Sequence, residues 1–101
     1  MALSEDRVTR ARLSAQRALL GEVSPALRAV VLGIAEAEIE VRCYFDGVVS
    51  SGDEESVSCL ETEMLADFDS DESVIVKPIR LDAPVAIQDD GVWVYFRRES
   101  M

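Results

Sequence analysis

The side chains of this chain that could do chemistry are carboxylates gathered in one segment. Residues 46–72 read DGVVSSGDEESVSCLETEMLADFDSDE and contain ten acidic side chains and no basic one. The formal net charge of the 101-residue chain is -10, and outside residues 43–76 ten acids balance ten bases. The whole net charge therefore lies in about one third of the sequence, and a functional surface is expected there.

Carboxylates at close spacing could bind a cation, and residues 67–71 (DFDSD) have the spacing that opens a calcium-binding EF-hand loop. The pattern then fails at the two positions that define such a loop. Glu72 stands where a glycine is needed for the turn, and Pro78 stands where a bidentate glutamate is needed. We therefore expect neither a dedicated metal site nor a cofactor.

Catalysis finds little support in the composition. The chain contains no histidine, which excludes Ser–His and Cys–His nucleophile pairs and every histidine-ligated metal site. The two cysteines, Cys43 and Cys59, are too few for a disulfide scaffold or a metal cage. Paired carboxylates could do acid–base work, but acids in a dense run are usually solvated. The sequence predicts a protein that is not an enzyme.

The charge favours a basic protein partner, since nucleic acids and anionic membranes would be repelled. The simpler alternative is that the acidity only keeps the protein in solution. No apolar run approaches the roughly 20 residues that a membrane helix needs, and the N-terminus shows no apolar segment of a secretory signal. A bacterial protein of the cytoplasm is expected.

The periodicity of apolar residues predicts one domain over residues 1–101 with the order α-β-β-α-β-β. We predict an α+β fold in which two hairpins, each preceded by a helix, form a mainly antiparallel four-stranded sheet with the helices packed on it. The predicted helices cover residues 4–20 and 53–68, and the predicted strands cover residues 27–34, 38–45, 73–81 and 92–99.

The second predicted helix explains part of the charge run. Ser51 and Glu54 fit a capping box, and the acids at 53–55 suit the positive end of the helix dipole. Its buried stripe is expected to consist of Val57, Leu60, Met64, Leu65 and Phe68. Glu61 falls inside that stripe, so we expect it to pair with Arg28 or Arg42, whereas Cys59 falls on the opposite, accessible side.

Strand alternation places three aromatic side chains on the polar side of the sheet. Tyr44 lies opposite the apolar face of its strand, which contains Cys43, and Trp93 and Tyr95 alternate with Val92, Val94 and Phe96. If that face is open, Tyr44 and Trp93 would serve as anchors for a partner. The alternative is that the first helix or a dimer partner covers these rings.

Five segments of the sequence carry a resemblance: LRAV at 27–30, YFDG at 44–47, ETEMLADF at 61–68, PIRLDAP at 78–84 and VWVYFRRE at 92–99. They resemble those of a group of small acidic bacterial proteins, the immunity proteins of contact-dependent growth inhibition systems. The resemblance implies a protein that stays in the cytoplasm of the producing cell. It also implies that the protein binds and blocks the C-terminal toxin domain of a secreted effector, often a nuclease.

The sequence therefore predicts an immunity protein that neutralises a cognate, basic toxin domain through an acidic surface. The expected contact residues are those left without a local structural reason: Asp46, Glu63, Asp67, Asp69, Asp71 and Glu72, together with Tyr44 and Trp93. The alternative is a subunit of a homo-oligomer, such as a homodimer, or of another cytosolic assembly with no toxin partner.

Overall fold

The computed structural model describes residues 5–99, which form a four-stranded sheet and two helices in the predicted α-β-β-α-β-β order. The elements are α1 (Glu5–Leu19), β1 (Leu27–Ile34), β2 (Glu38–Phe45), α2 (Ser51–Leu65), β3 (Ser73–Arg80) and β4 (Val92–Phe96). The α+β fold class is confirmed. Within the described residues, no helix is long and apolar enough to cross a membrane.

The order of strands across the sheet is β3-β2-β1-β4. β1 pairs antiparallel with β2 on one side and with β4 on the other, whereas β2 and β3 run parallel. The expected second hairpin is therefore wrong, because β3 and β4 lie at opposite edges. α2 returns the chain to the end where β2 began, so β3 must run parallel to β2. The 81–91 loop then crosses the sheet to reach β4.

The start of α2 differs by one residue from the prediction. Ser50, not Ser51, caps the helix: its backbone is extended and its Oγ accepts a hydrogen bond from the Asp53 backbone N–H at 3.1 Å. The helix also ends at Leu65, before the predicted Phe68. A carboxylate is unfavourable at the negative, C-terminal end of a helix dipole. Asp67 follows directly after the last turn, so it disfavours a continuation of the helix to Phe68.

Both helices lie on one face of the sheet and enclose the main core. Ala11 and Ala15 of α1 are fully buried, and their small side chains let that helix approach the sheet closely. Leu60 and Met64 of α2 are buried against the same face of β1 and β2. Cys43 belongs to this core, as predicted, and burial raises the pKa of its thiol to about 12.

The second face of the sheet is partly covered, by the 81–91 loop rather than by α1. Tyr44 is 8% exposed and packs in a smaller cluster with Ala29 and Val31 of β1. Leu81 and Ile87 of the 81–91 loop pack against this cluster. The chain itself therefore covers Tyr44, one of the two expected aromatic anchors, whereas Trp93 is half-buried.

A β-bulge breaks the predicted alternation of β4. Val30 lies opposite Tyr95 and Val31 lies opposite Trp93, which leaves Val94 as an extra residue. The bulge moves Tyr95 to the helix-covered face and turns Phe96 toward Trp93, with ring centroids 5.3 Å apart in an edge-to-face arrangement. The expected grouping of Tyr95 with Trp93 is wrong for this reason.

Replacing single side chains of α2 by alanine should show which of them support the core. Leu60 is 2% exposed and Leu65 is 42% exposed, and both lie on this helix. We expect Leu60→Ala to lower the free energy of unfolding by about 2–5 kcal/mol, and Leu65→Ala by less than about 1 kcal/mol. Urea unfolding measures both, and equal losses would contradict the described orientation of α2.

The two cysteines should react at very different rates. Cys59 is exposed, as the helical pattern predicted, whereas Cys43 is buried with a raised pKa. We expect a thiol reagent to modify one cysteine of the native protein quickly and the second only on unfolding. The Cys59→Ser variant should lose the fast reaction; a fast reaction that persists in this variant would contradict the burial of Cys43.

Candidate functional site

The carboxylate of Asp67 is held between α1 and α2. It accepts hydrogen bonds from Ser14 Oγ at 2.6 Å and from Arg17 Nη2 at 2.5 Å, and its backbone carbonyl accepts one from Arg10 Nη2 at 2.8 Å. The bond from Ser14, reinforced by Arg17, lowers the pKa of Asp67 below its ordinary value. Asp67 therefore joins the two helices.

Glu72 and Glu63 also meet arginines of α1, to different degrees. Glu72 forms an ion pair with Arg7, and Arg7 Nη2 also donates to the Ala35 carbonyl oxygen at 3.0 Å. Glu63 lies 3.5 Å from Arg17 Nη1, and its side chain remains 53% exposed. Such an exposed pair contributes little to stability, so Glu63 is still accessible to a partner.

Asp46 lies at the other end of the molecule from Glu72. Its carboxylate pairs with Arg97 Nη2 at 2.9 Å and accepts a hydrogen bond from the Ala83 backbone N–H at 3.2 Å. The expectation that Asp46, Asp67 and Glu72 have no structural reason is therefore wrong. The role of the six acids in partner binding stays a prediction, and the structure does not bring all six together.

Tyr44 and Trp93 are joined through Asp89, a residue that the sequence did not single out. The Asp89 carboxylate accepts hydrogen bonds from Arg42 Nε at 2.7 Å, Arg42 Nη2 at 2.8 Å and the Tyr44 hydroxyl at 2.6 Å. Trp93 Nε1 donates to the Asp89 carbonyl oxygen at 3.0 Å. These bonds fix the 81–91 loop to the sheet, so Tyr44 has a structural role.

The environment of Asp89 shifts the pKa of the groups around it. The Arg42 guanidinium, helped by Tyr44 and the Gly91 backbone N–H, lowers the pKa of Asp89 to about 2. Burial, with the neighbouring carboxylate, raises the pKa of Tyr44 to about 12. Gly91 is required by close packing, because a Cβ there would lie 2.5 Å from the Leu32 carbonyl oxygen and 2.7 Å from Arg42 Nη2.

A second buried ion pair connects β1 to the segment after β4. Arg28 is 2% exposed and donates to Glu99 Oε2 and Oε1 at 2.7 and 2.9 Å and to the Leu81 carbonyl oxygen at 2.6 Å. Arg28, with Arg97, lowers the pKa of Glu99 to about 2. Glu61, expected to pair with Arg28 or Arg42, accepts instead from the Val76 backbone N–H at 3.1 Å, since both arginines are already engaged.

Asp69 and Asp71 differ from the acids above because they are exposed and unpartnered. Within residues 5–99, neither side chain forms an ion pair or a hydrogen bond. One carboxylate oxygen from each lies within 4.8 Å of the other and of a Glu72 oxygen. Like charges this close repel one another, so a cationic group placed here would be stabilised.

Further acids from other segments lie beside them. The Ser73 backbone N–H donates to the Ala37 carbonyl oxygen at 2.9 Å, which places the β1–β2 turn next to the loop after α2. Arg7, at the start of α1, contacts both segments. We call this region the acidic end; its exposed acids are Asp6, Glu36, Glu38, Asp69 and Asp71.

The acidic end could not be found from the local charge run alone. Glu36 lies in the short connection between two predicted strands and Glu38 begins the second of them, more than thirty residues before Asp69. The parallel pairing that sets Glu38 opposite Ser73 brings them together. The sequence pattern predicted the turn between β1 and β2, but it did not predict that β3 pairs parallel with β2.

The exposed carboxylates of the acidic end suit the binding of a cationic partner. The family of the chain follows from a comparison with protein-family models. The sequence matches the family model of the MafI2 immunity protein over residues 8–99. The chain belongs to the MafI2 immunity protein family. A comparison with curated proteins finds no match.

Membership of this family gives the general function of the chain. MafI2 proteins are immunity proteins of a toxin–immunity system, and they are inhibitors rather than enzymes. The predictions of an immunity protein and of a non-enzymatic chain are confirmed. The family match covers α1 from residue 8 onward, a helix that lay outside the segments that carried the resemblance. Contact-dependent growth inhibition stays a prediction.

Neutralising Asp89 should release the 81–91 loop and remove part of the acid sensitivity of the protein. The pKa of Asp89 lies at about 2 in the folded protein, below the value of about 3.9 in an unfolded chain. Its stabilisation is therefore complete above about pH 5 and is lost as the pH falls through about 2. Asp89→Asn should lower the free energy of unfolding by about 3 kcal/mol at neutral pH. It should also reduce the loss of stability that occurs below pH 4.

Thermal unfolding across a pH series measures both effects. Asp90→Asn is the matched control, because the neighbouring carboxylate is exposed and makes no ion pair among the described residues. The control should keep the stability and the pH dependence of the parent protein. Equal behaviour of the two variants would contradict the role of Asp89. The share of pH dependence that comes from Glu99 should remain in both.

Proposed function

We propose that this immunity protein neutralises its cognate toxin domain by binding a basic surface of that domain with the acidic end. The supporting observation is that Asp69 and Asp71 are exposed and close together and lack an internal cation within the described residues. Four other acids of the charge run contact arginines of the same chain, namely Asp46, Glu63, Asp67 and Glu72. Glu54 and Glu55 lie at the start of α2, where the helix dipole favours carboxylates. Asp69 and Asp71 are therefore exposed acids that neither an internal cation nor a helix start accounts for.

The proposed partner is a nuclease-type toxin domain, in this system a MafB toxin. A nuclease must bind a polyanion, so its active-site cleft carries lysine and arginine side chains. Carboxylates fixed at one end of a compact protein could occupy the positions that nucleic-acid phosphates would take. Blocking the cleft in this way needs no catalytic group on the inhibitor, which agrees with the absence of histidine.

The composition of the acidic end suggests how the binding energy is divided. Solvated carboxylates at the rim of an interface mainly raise the association rate and exclude wrong partners, while affinity comes from a few desolvated contacts. Ile75 is 40% exposed and lies opposite Glu40 in the parallel pair of β2 and β3. It supplies an apolar contact near the acidic end, a role that the buried Tyr44 cannot have.

The cellular setting follows from the same proposal. An inhibitor that protects the producing cell from a delivered nuclease must meet the toxin in the cytoplasm, where its nucleic-acid substrates lie. Delivery by a contact-dependent growth inhibition mechanism would make rapid capture important. Electrostatic steering raises association rates from about 10⁵–10⁶ toward 10⁸ M⁻¹s⁻¹ at low salt, and the charge of -10 provides such steering.

Reversing the charge of the two free carboxylates should slow capture of the toxin domain. We expect Asp69→Lys/Asp71→Lys to reduce the association rate by about tenfold or more at low ionic strength and to flatten its salt dependence. Stopped-flow or surface-plasmon measurements with the cognate toxin domain would give both quantities. The fold should be unaffected, because neither side chain has a partner within residues 5–99.

The matched control variant changes the net charge by the same amount at a different place on the surface. Glu54 and Glu55 are exposed at the start of α2, at the opposite end of the molecule from the acidic end. Glu54→Lys/Glu55→Lys should reduce the association rate much less, since only the overall charge changes. If this control slows association as much as the acidic-end variant, the interface lies elsewhere.

A further inference from the structure

The guanidinium of Arg7 holds two other segments of the acidic end against α1. Its Nε and Nη2 both donate to the Ala35 carbonyl oxygen in the β1–β2 turn, at 3.2 and 3.0 Å. Its Nη1 donates to the Glu72 carboxylate in the loop after α2. A planar guanidinium fixes the direction of each of these bonds. One side chain therefore sets the relative position of three segments that are far apart in the sequence.

Asp69 and Asp71 lie between two points at which α1 holds the loop after α2. On one side, Asp67 is hydrogen-bonded to two side chains of α1. On the other side, Glu72 is paired with Arg7, and its backbone N–H donates to the Asp69 carbonyl oxygen at 3.0 Å. Because this bond closes the loop as a turn, a shift of Glu72 also moves the two exposed acids.

The contact between Arg7 and Glu72 is largely shielded from water. Their side chains are 17% and 14% exposed, whereas the side chains of Arg17 and Glu63, which also pair between the two helices, are 52% and 53% exposed. Water and salt screen a shielded pair less than an exposed one. Arg7 also lies in the first turn of α1, where the helix dipole disfavours a base. A local preference that is violated in this way indicates a role beyond the helix itself.

We infer that Arg7 is a positioning residue of the toxin-binding surface, which fixes the exposed carboxylates of the acidic end through Glu72 and Ala35. This inference rests on the proposed function. Arg7 acts through its contacts within the chain and not on the toxin domain, whose proposed surface is itself cationic. Carboxylates that are already in place lose less conformational entropy on binding, so the complex is tighter.

The positive charge of Arg7 makes positioning distinguishable from electrostatic steering. Removal of this cation makes the acidic end more negative, and a more negative surface associates faster with a basic partner. Loss of the contacts frees the β1–β2 turn and the loop after α2, and the need to order them again on binding weakens the complex. Steering therefore changes the association rate, whereas positioning changes the dissociation rate.

Hydrogen exchange in the free protein tests the positioning without any partner. Three backbone amides report on the segments that Arg7 holds. They are the N–H groups of Ala35, Glu72 and Ser73, which donate to the carbonyl oxygens of Glu38, Asp69 and Ala37. Arg7→Gln should raise the exchange rates of these three amides by about tenfold and leave those in the middle of β1 and β2 unchanged. Unchanged exchange at the three amides would overturn the inference.

Kinetics with the cognate toxin domain test the consequence for binding. Surface-plasmon measurements should show that Arg7→Gln raises the dissociation rate by about tenfold, with an association rate equal to or above that of the parent. Arg7→Lys keeps the charge and the contact with Glu72, so it should recover most of the lost affinity. A dissociation rate of Arg7→Gln equal to that of the parent would overturn the inference, whatever the association rate.

Three control variants separate positioning from net charge and from general stability. Arg12→Gln removes an exposed base of α1 that forms no ion pair within residues 5–99, and it should leave the dissociation rate unchanged. Arg7→Gln/Glu72→Gln keeps the net charge of the parent and should dissociate as fast as Arg7→Gln, because both changes break one contact. Val57→Ala weakens the core in the first half of α2 and should dissociate as the parent does at temperatures where it is folded.

The outcomes also separate this inference from the proposed function. If Asp69→Lys/Asp71→Lys binds the toxin domain as the parent does, the proposed function fails and the inference fails with it. If that variant slows association but Arg7→Gln leaves dissociation unchanged, the inference alone fails. Faster dissociation of Arg12→Gln or Val57→Ala would also overturn the inference, since charge or stability would then explain the result.

Discussion

The pairing of α1 arginines with carboxylates at the end of α2 decides which acids of this chain remain available to a partner. Asp67 accepts hydrogen bonds from Ser14 and Arg17, and Arg7 pairs with Glu72. The chain has twenty acids and ten bases, so at least ten acids have no base to pair with. Five exposed acids, including Asp69 and Asp71, lie where the β1–β2 turn meets the loop after α2. The internal ion pairs thereby define the acidic end.

The two faces of the sheet are closed in different ways, and this limits where a partner can bind. Two helices cover one face with an apolar core that includes fully buried alanines. The 81–91 loop covers the other through a bidentate contact between Arg42 and Asp89. The loop leaves part of this second face open, because Ile75 and Phe96 remain 40% and 57% exposed. The acidic end lies at one end of the sheet, beside the start of β3.

The sequence predicted the helices and strands, but it did not predict how they are arranged. The alternation around Val41 and Cys43 predicted β2 and its buried face, because a period of two is a local property. The position of β3 beside β2 depends on how α2 packs, and no local pattern records it. The contact of Arg42 with Asp89 spans 47 residues, and the 81–91 loop has no periodicity to announce it. Tyr44 was therefore a candidate anchor on a face whose cover could not be predicted, and the chain itself covers it there.

The same limit applies to the candidate site. Asp69 and Asp71 were recognisable, since they lie beyond a helix end where carboxylates are unfavourable. The internal partner of Asp46 could not be recognised, because Arg97 is more than fifty residues away in the sequence and the pair depends on β1 and β4 being neighbours. Glu36 and Glu38 lay outside the charge run and entered the site only through the parallel pairing of β2 with β3.

The most direct measurement of the central claim is amide hydrogen exchange of this protein with and without its cognate toxin domain. Binding at the acidic end should slow exchange in residues 34–38 and 68–73 and leave the start of α2 and the 81–91 loop unchanged. Slowed exchange confined to the start of α2 or to the 81–91 loop would contradict the account. So would a complex in which residues 34–38 and 68–73 exchange as they do in the free protein.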